Sequence, residues 1–151
     1  MKLKVITIIT VALFVSCNSS EKKQDISKVD ETIASKTQQD PDLTESMKRG
    51  KVIYTDFCVS CHMPNGKGVP KAFPPLAKSD YLMNNRIESI KSIKYGQSGE
   101  ITVNGITYNG TMTPLGLEDS EIADVMNYIT NSWGNSNSNL ITAKEVSKIE
   151  E

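Results

Sequence analysis

The segment CVSCHMPNGKGVP, Cys58 to Pro70, holds two of the three cysteines and the only histidine of the chain. Whatever forms here is built around two thiols three positions apart with an imidazole directly after the second. Four chemistries use such a pair. A structural zinc site takes about four Cys or His ligands, and the sequence offers no second cysteine pair and no second histidine. A thiol–disulfide oxidoreductase sets its pair between a strand and a helix of a mixed sheet, and the strand-rich pattern for that scaffold is missing. A disulfide closing so short a loop restrains the unfolded chain little. The fourth chemistry uses all three side chains. Both thiols add across the vinyl groups of a haem, and the adjacent imidazole is forced under the iron as an axial ligand. The reading is one covalent haem c, with Cys58 and Cys61 as its thioether anchors and His62 on the iron.

The solitary histidine narrows the other side of the iron. Thioether sulfur is the natural second ligand, and Met opposite His raises the potential. Met63 is too close to His62 to reach round a porphyrin. Met47 and Met126 fit apolar faces of the first and last helices, where filling gaps is the plainer role. Met112, in YNGTMTPLG, is expected in a loop bounded by Gly and Pro that can aim a side chain inward. It is the preferred iron ligand, with Met83, near a helix start, as the alternative.

The N-terminus carries a different signal. Lys2 and Lys4 precede a short apolar run, Val5 to Val15, that ends in LFVSC with Ser16 before Cys17. The run is too short to span a bilayer comfortably. The pattern resembles the lipobox of bacterial lipoproteins: a signal peptide over 1–16, cleavage before Cys17, and lipid on that cysteine. An ordinary cleaved signal would lose Cys17 instead. Lipidation leaves Cys58 and Cys61 as the complete remaining thiol set. Residues 17–42 are charged and Ser/Thr/Gln-rich, too polar to offset their ordering entropy. They read as a tether reaching about 25–30 Å. The expected localisation is therefore the cell envelope, on the periplasmic side of the inner or outer membrane.

The folded part is expected over 43–136, followed by a polar tail over 137–151 with at most a weak amphipathic turn or two. LTESMKRGKVIYTDFCVSC places Met47, Val52, Tyr54 and Phe57 at helical spacings, with Gly50 costing about 1 kcal/mol of helix propensity. MPNGKGVPKAFPPL is loop. SDYLMNNRIESIKSIKYG reads as one helix through Leu82, Ile87, Ile90 and Ile93, with Asp80 as its cap and Gly96 as its stop. In EITVNGITYNG the period changes to two around Asn104-Gly105, the signature of a tight hairpin. EDSEIADVMNYITNSW resumes a helix through Ile122, Val125, Met126 and Ile129, with acidic residues in its first turn. The fold class is mainly α with one small β-hairpin.

From Leu43 to Trp133 these residues resemble a class I cytochrome c, in which helices surround one covalent haem. Gly50, Tyr54 and Cys58 repeat the family's spacing of Gly, aromatic and Cys, where the glycine lets the last helix cross closely. Val125, Tyr128 and Ile129 match the partner surface on that helix. FPPL resembles the family's Pro-x-Leu segment. The resemblance implies that the Pro74 carbonyl accepts from the second nitrogen of His62 and that Leu76 packs on the haem. Two features depart from the family: Pro114 stands one position beyond its common place after the methionine, and Glu118 replaces the usual Ser or Thr cap of the last helix, predicting a less firmly held end. The similarity to cytochromes paired with bacterial sugar dehydrogenases, copper nitrite reductases and terminal oxidases implies redox proteins as partners.

The expected function is electron transfer rather than enzymatic catalysis, since a peroxidase or gas sensor needs an open or displaceable iron position. Seventeen basic residues against eighteen acidic ones, with no basic run interleaved with aromatics, give nucleic-acid binding no support. Lys67, Lys71 and Lys78 follow the haem motif and read first as ordinary solvated surface. Lysines rimming a haem edge would instead favour an acidic partner.

Overall fold

The computed structural model describes residues 41–151. The signal peptide expected over 1–16 and residues 17–40 of the tether expected over 17–42, including Cys17, lie outside the described residues, while the last two tether residues, Pro41 and Asp42, already belong to the first helix. The described elements are α1 (Pro41–Phe57), α2 (Val59–His62), α3 (Asp80–Asn84), α4 (Arg86–Lys94), β1 (Gln97–Val103), β2 (Ile106–Met112), α5 (Asp119–Ile129) and α6 (Ala143–Val146). None of the described helices is long and apolar enough to cross a membrane.

The core forms where α1 crosses α5. The packed stripe of α1 is Leu43, Ser46, Gly50 and Tyr54, at the three- and four-residue steps of one helix face. Val52 and Phe57, expected on that stripe, face outward instead. Gly50 sets the phase. A Cβ added there would lie 2.0 Å from the Asp124 carbonyl oxygen, so the two backbones touch. Against this stripe α5 buries every residue from Ile122 to Asn127, and Ile129. Its N-terminus is held despite the missing hydroxyl cap, because the Glu121 carboxylate accepts from the Glu118 N–H at 2.9 Å.

The crossing also buries polar groups, and they satisfy one another. Arg49 grips Asp124 through two bonds of 2.6 and 2.7 Å, and Ser46 Oγ donates to the same carboxylate at 2.6 Å. Asn127 is fully buried. Its amide nitrogen donates to Ser46 Oγ and to the Ile141 carbonyl, and its oxygen accepts from the Ile141 N–H. A buried amide with both ends paired orients the segment it holds.

That segment is the one expected as a polar tail. Ile141 and Val146 are buried in the main core, and α6 packs on α5. Arg86 donates to both oxygens of Glu145 at 2.6 Å and to the Asn139 and Leu140 carbonyls. Lys94 and Tyr95 donate to the Ile149 carbonyl. The hydrophobic pattern of 137–151 is sparse because two apolar side chains and a set of carbonyls suffice when α4 supplies the donors.

The expected single helix over residues 80–94 is two. Asn85, at φ −122° and ψ 61°, breaks it, and Ser79 rather than Asp80 caps α3 by accepting from the Leu82 N–H. Asp80 is used elsewhere: it exchanges two bonds with Asn104 at the hairpin turn. Ile87 is exposed, while Leu82, Ile90 and Ile93 enter the core. The hairpin forms as read, with Asn104 and Gly105 at positive φ and Val103 opposite Ile106. Met112 is not in irregular loop but is the last residue of β2, paired with Gln97.

Candidate functional site

Helix α1 leads directly into the cysteine pair. The Cys58 N–H continues the helical ladder to the Tyr54 carbonyl at 3.0 Å, and the His62 N–H bonds the Cys58 carbonyl at 2.9 Å. One short turn therefore carries Cys58, Cys61 and His62. The loop beyond is tied back to it. Tyr54 Oη donates to the Met63 carbonyl at 2.6 Å, and the Gly68 N–H to the His62 carbonyl at 3.0 Å. Leu76 and Ala77 N–H groups both donate to the Gly66 carbonyl. Asn135, just after α5, donates to the Leu76 and Ile129 carbonyls and fixes the loop to the last helix. Beneath it Tyr54, Tyr128 and Trp133 form a triangle with ring centroids 4.9 to 5.6 Å apart.

These ties aim three groups into one apolar cavity. His62 Nδ1 lies 3.0 Å from the Pro74 carbonyl oxygen. A carbonyl only accepts, so Nδ1 carries the proton and Nε2 keeps its lone pair for a metal. Burial lowers the imidazole pKa, with the Pro74 bond opposing it, and favours the neutral ring a ligand needs. The Cys58 thiol is pushed up to about 11, first by burial and then by Cys61. A redox-active dithiol needs the opposite, a depressed thiol. Both cysteines are free thiols in the structure.

The same cavity is lined by Met112, Tyr108 and Gly110 from β2, with Ile93 and Ser89 from α4. Met112 is the one methionine among the described residues that lines it; Met83 does not. Leu76, which the resemblance implied would pack on the haem, lines the cavity and packs against the main core. Sequence reasoning passed over Tyr108 as a contact of the site. The signal was available: residues 108, 110 and 112 share one face of a strand by the two-residue period.

The residues fit a haem on chemical grounds. Two thiols, a neutral imidazole with a free Nε2 and a thioether meet in one mostly apolar hollow, and no Lys, Arg, Asp or Glu among the described residues lines it. At Gly110, where φ is unexceptional, an added Cβ would meet only the Ala72 carbonyl oxygen, at 3.8 Å. Neither backbone strain nor the chain's own packing therefore requires glycine there, and the space it leaves lies in the cavity wall.

Comparison with known proteins agrees with the chemistry. The sequence model of the Cytochrome c family matches residues 47–133. A cytochrome c-552 from Thermus thermophilus is 40% identical over 109 residues, which cover 66% of this chain and 82% of that protein. The cytochrome c subunit of a quinone alcohol dehydrogenase from Gluconobacter oxydans is 28% identical over 114 residues, only 21% of its own length. The FixP subunit of a cbb3-type cytochrome c oxidase from Bradyrhizobium diazoefficiens is 33% identical over 92 residues, 30% of its length. A helix-rich fold with one small hairpin, a Cys-x-x-Cys-His turn and a matching family model lead to one conclusion: the chain belongs to the cytochrome c family, as a class I protein with one covalently bound haem c.

Proposed function

We propose that this cytochrome is a lipid-tethered, single-electron carrier of the cell envelope whose iron is closed by His62 and Met112. An electron-carrying role is common ground with its relatives. The observation that carries the finer reading is the placement of Met112 on the wall of the same cavity that holds Cys58, Cys61 and His62. Bound there, haem supplies an iron that takes up and gives back one electron between its ferric and ferrous states.

The chain's residues have distinct parts in this reading. Cys58 and Cys61 hold the haem by thioether bonds. His62 offers Nε2 while the Pro74 carbonyl fixes its ring and raises its basicity. Met112 offers a soft sulfur that favours ferrous iron, and Leu76 excludes water. A carrier needs no acid–base group beside the iron, and no carboxylate of the described residues lines the cavity.

The membrane half of the proposal rests on the lipobox-like LFVSC that ends at Cys17 and the polar stretch that follows. Donor and acceptor are redox proteins of the dehydrogenase, nitrite reductase or terminal oxidase kind. Relatives that are subunits of a quinone dehydrogenase and of an oxidase support that class of partner.

Carbon monoxide tests the closed iron. The ferrous wild-type protein should bind it slowly and incompletely at neutral pH, and Met112→Ala should bind it rapidly and show a lower potential. Rapid, full binding by the wild type refutes the closed carrier. An unchanged spectrum and potential in Met112→Ala moves the ligand to Met83.

A further inference from the structure

Helix α4 runs almost directly into the strand partner of Met112. Tyr95 caps the helix, Gly96 follows at φ +90°, and Gln97 opens β1 opposite Met112. Gly96 lies flat against the methionine segment. A Cβ added there would sit 2.7 Å from the Met112 carbonyl oxygen and 2.9 Å from Pro114 Cδ. The backbone that carries the thioether is therefore backed by the Tyr95–Gly96 junction. Beyond Met112 such support stops, since no hydrogen bond ties residues 113–117 to the other described residues.

What fixes that junction lies outside the cavity. Tyr95 Oη donates to the Ile149 carbonyl at 2.8 Å. Lys94, the last residue of α4, places its ammonium 3.0 Å from Asp119 Oδ1, 3.0 Å from the Val146 carbonyl oxygen and 3.4 Å from that of Ile149. Its three donors thus meet three acceptors. Neither Tyr95 nor any described residue beyond Ile129 lines the cavity. The last turn of the chain is therefore connected to Met112 only through the end of α4. The Ile141 end of the same segment is held separately, by Asn127 at the α1–α5 crossing.

We propose that Tyr95 is a positioning residue for Met112: its bond to the Ile149 carbonyl pins the Tyr95–Gly96 junction against the back of the methionine segment and so keeps the sulfur on the iron. A binding constellation works only when the elements around it hold each donor atom within about 0.5 Å of its place. Without the phenol hydroxyl the junction can draw away from Met112, and the state with the iron open gains population. Loss of one neutral hydrogen bond corresponds to roughly a 2- to 10-fold rise in that population. The inference rests on the reading of Met112 as the second iron ligand.

The test is carbon monoxide binding to the purified full-length ferrous holoprotein, with the thioether-to-iron charge-transfer band of the ferric form as a second readout. Tyr95→Phe keeps the part-buried ring, and with it the fold, and removes only the donor. It should bind carbon monoxide roughly 2- to 10-fold faster than the wild type, and lose the band at a lower temperature on warming. Asn127→Ala loosens the other end of the same segment and should bind at the wild-type rate, although it is the less stable protein. In the Met112→Ala background Tyr95→Phe should change nothing, because the residue through which it acts is gone. A wild-type rate in Tyr95→Phe, an equal acceleration in Asn127→Ala, or an undiminished effect of Tyr95→Phe without Met112 overturns the proposal. Met112→Ala alone reports on the underlying reading. A band that survives that substitution overturns both, whereas a lost band beside an unchanged rate in Tyr95→Phe overturns this inference only.

Discussion

The two sides of the molecule are completed in different ways. At the α1–α5 crossing the chain closes on itself: backbone touches backbone at Gly50, and Ser46, Asp124 and Asn127 pair with one another and with Ile141. On the cavity side the chain leaves work undone. Phe73 is exposed, the Tyr108 phenol has no partner among the described residues, and the two-stranded hairpin has a wall with no side chain at Gly99 or Gly110. A hairpin of two strands is marginal in water without something to pack against. The first side is closed by the chain's own groups, whereas the second presents the wall of the cavity that a haem would occupy. Substitutions at the crossing should therefore move the unfolding midpoint and leave the redox potential alone, and those in the cavity wall should do the reverse.

The largest effect should come from removing the attachment itself. In Cys58→Ala/Cys61→Ala, where no covalent haem can form, backbone amides of 97–112 should exchange at nearly unprotected rates, while some protection persists in α1 and α5. Equal loss on both sides, read by hydrogen exchange, would erase the distinction. Next comes Gly50→Ala in the holoprotein. With the new Cβ 2.0 Å from the Asp124 carbonyl oxygen, the helices must separate, at a cost of about 3 kcal/mol or more in urea unfolding. A loss below about 1 kcal/mol would mean the crossing yields easily.

Asn127→Ala is gentler because it shifts no backbone. It leaves the buried N–H and C=O of Ile141 without their partner and costs about 2–3 kcal/mol. The Ile141 amide should lose its exchange protection first. A potential that moved along with stability would show that the C-terminal segment reaches the cavity.

The same division explains what could be read from the sequence. Cys58, Cys61, His62 and Gly50 act through spacing and chemistry that are local in the chain, and Asn104-Gly105 dictates its own turn. Elimination among six methionines pointed to Met112, which lines the cavity, although its strand position was not visible because GTMTP reads as a breaker. Features that depend on pairing between distant segments escaped. The apolar content of 137–151 is too thin to announce a packed element. What holds it is Arg86, Lys94, Tyr95 and Asn127, whose partners are mostly backbone carbonyls that no residue pattern encodes. Likewise Val52 and Phe57 satisfied the helical period as well as Leu43 and Ser46 do, and only the contact at Gly50 selects between the two phases.

The smallest effect probes that C-terminal segment through one charge. Arg86 holds the Glu145 carboxyl below its ordinary value, chiefly by hydrogen bonding, with the attraction of opposite charges adding and partial burial opposing. A carboxylate whose folded-state pKa is depressed adds stability above its unfolded value of 4.5, and that contribution disappears as pH falls through the lower folded value. Glu145→Gln should thus cost stability at pH 7, by the same amount at pH 6, with the gap to wild type closing only below about pH 4.5. Both partners of the pair are about one-third exposed, and Arg86 keeps its bonds to the Asn139 and Leu140 carbonyls, so the loss should stay under about 1 kcal/mol. Thermal unfolding of the two proteins across that pH range measures it. A gap that widened toward acid would require Glu145 to be held protonated in the fold, which the bidentate contact with a guanidinium opposes.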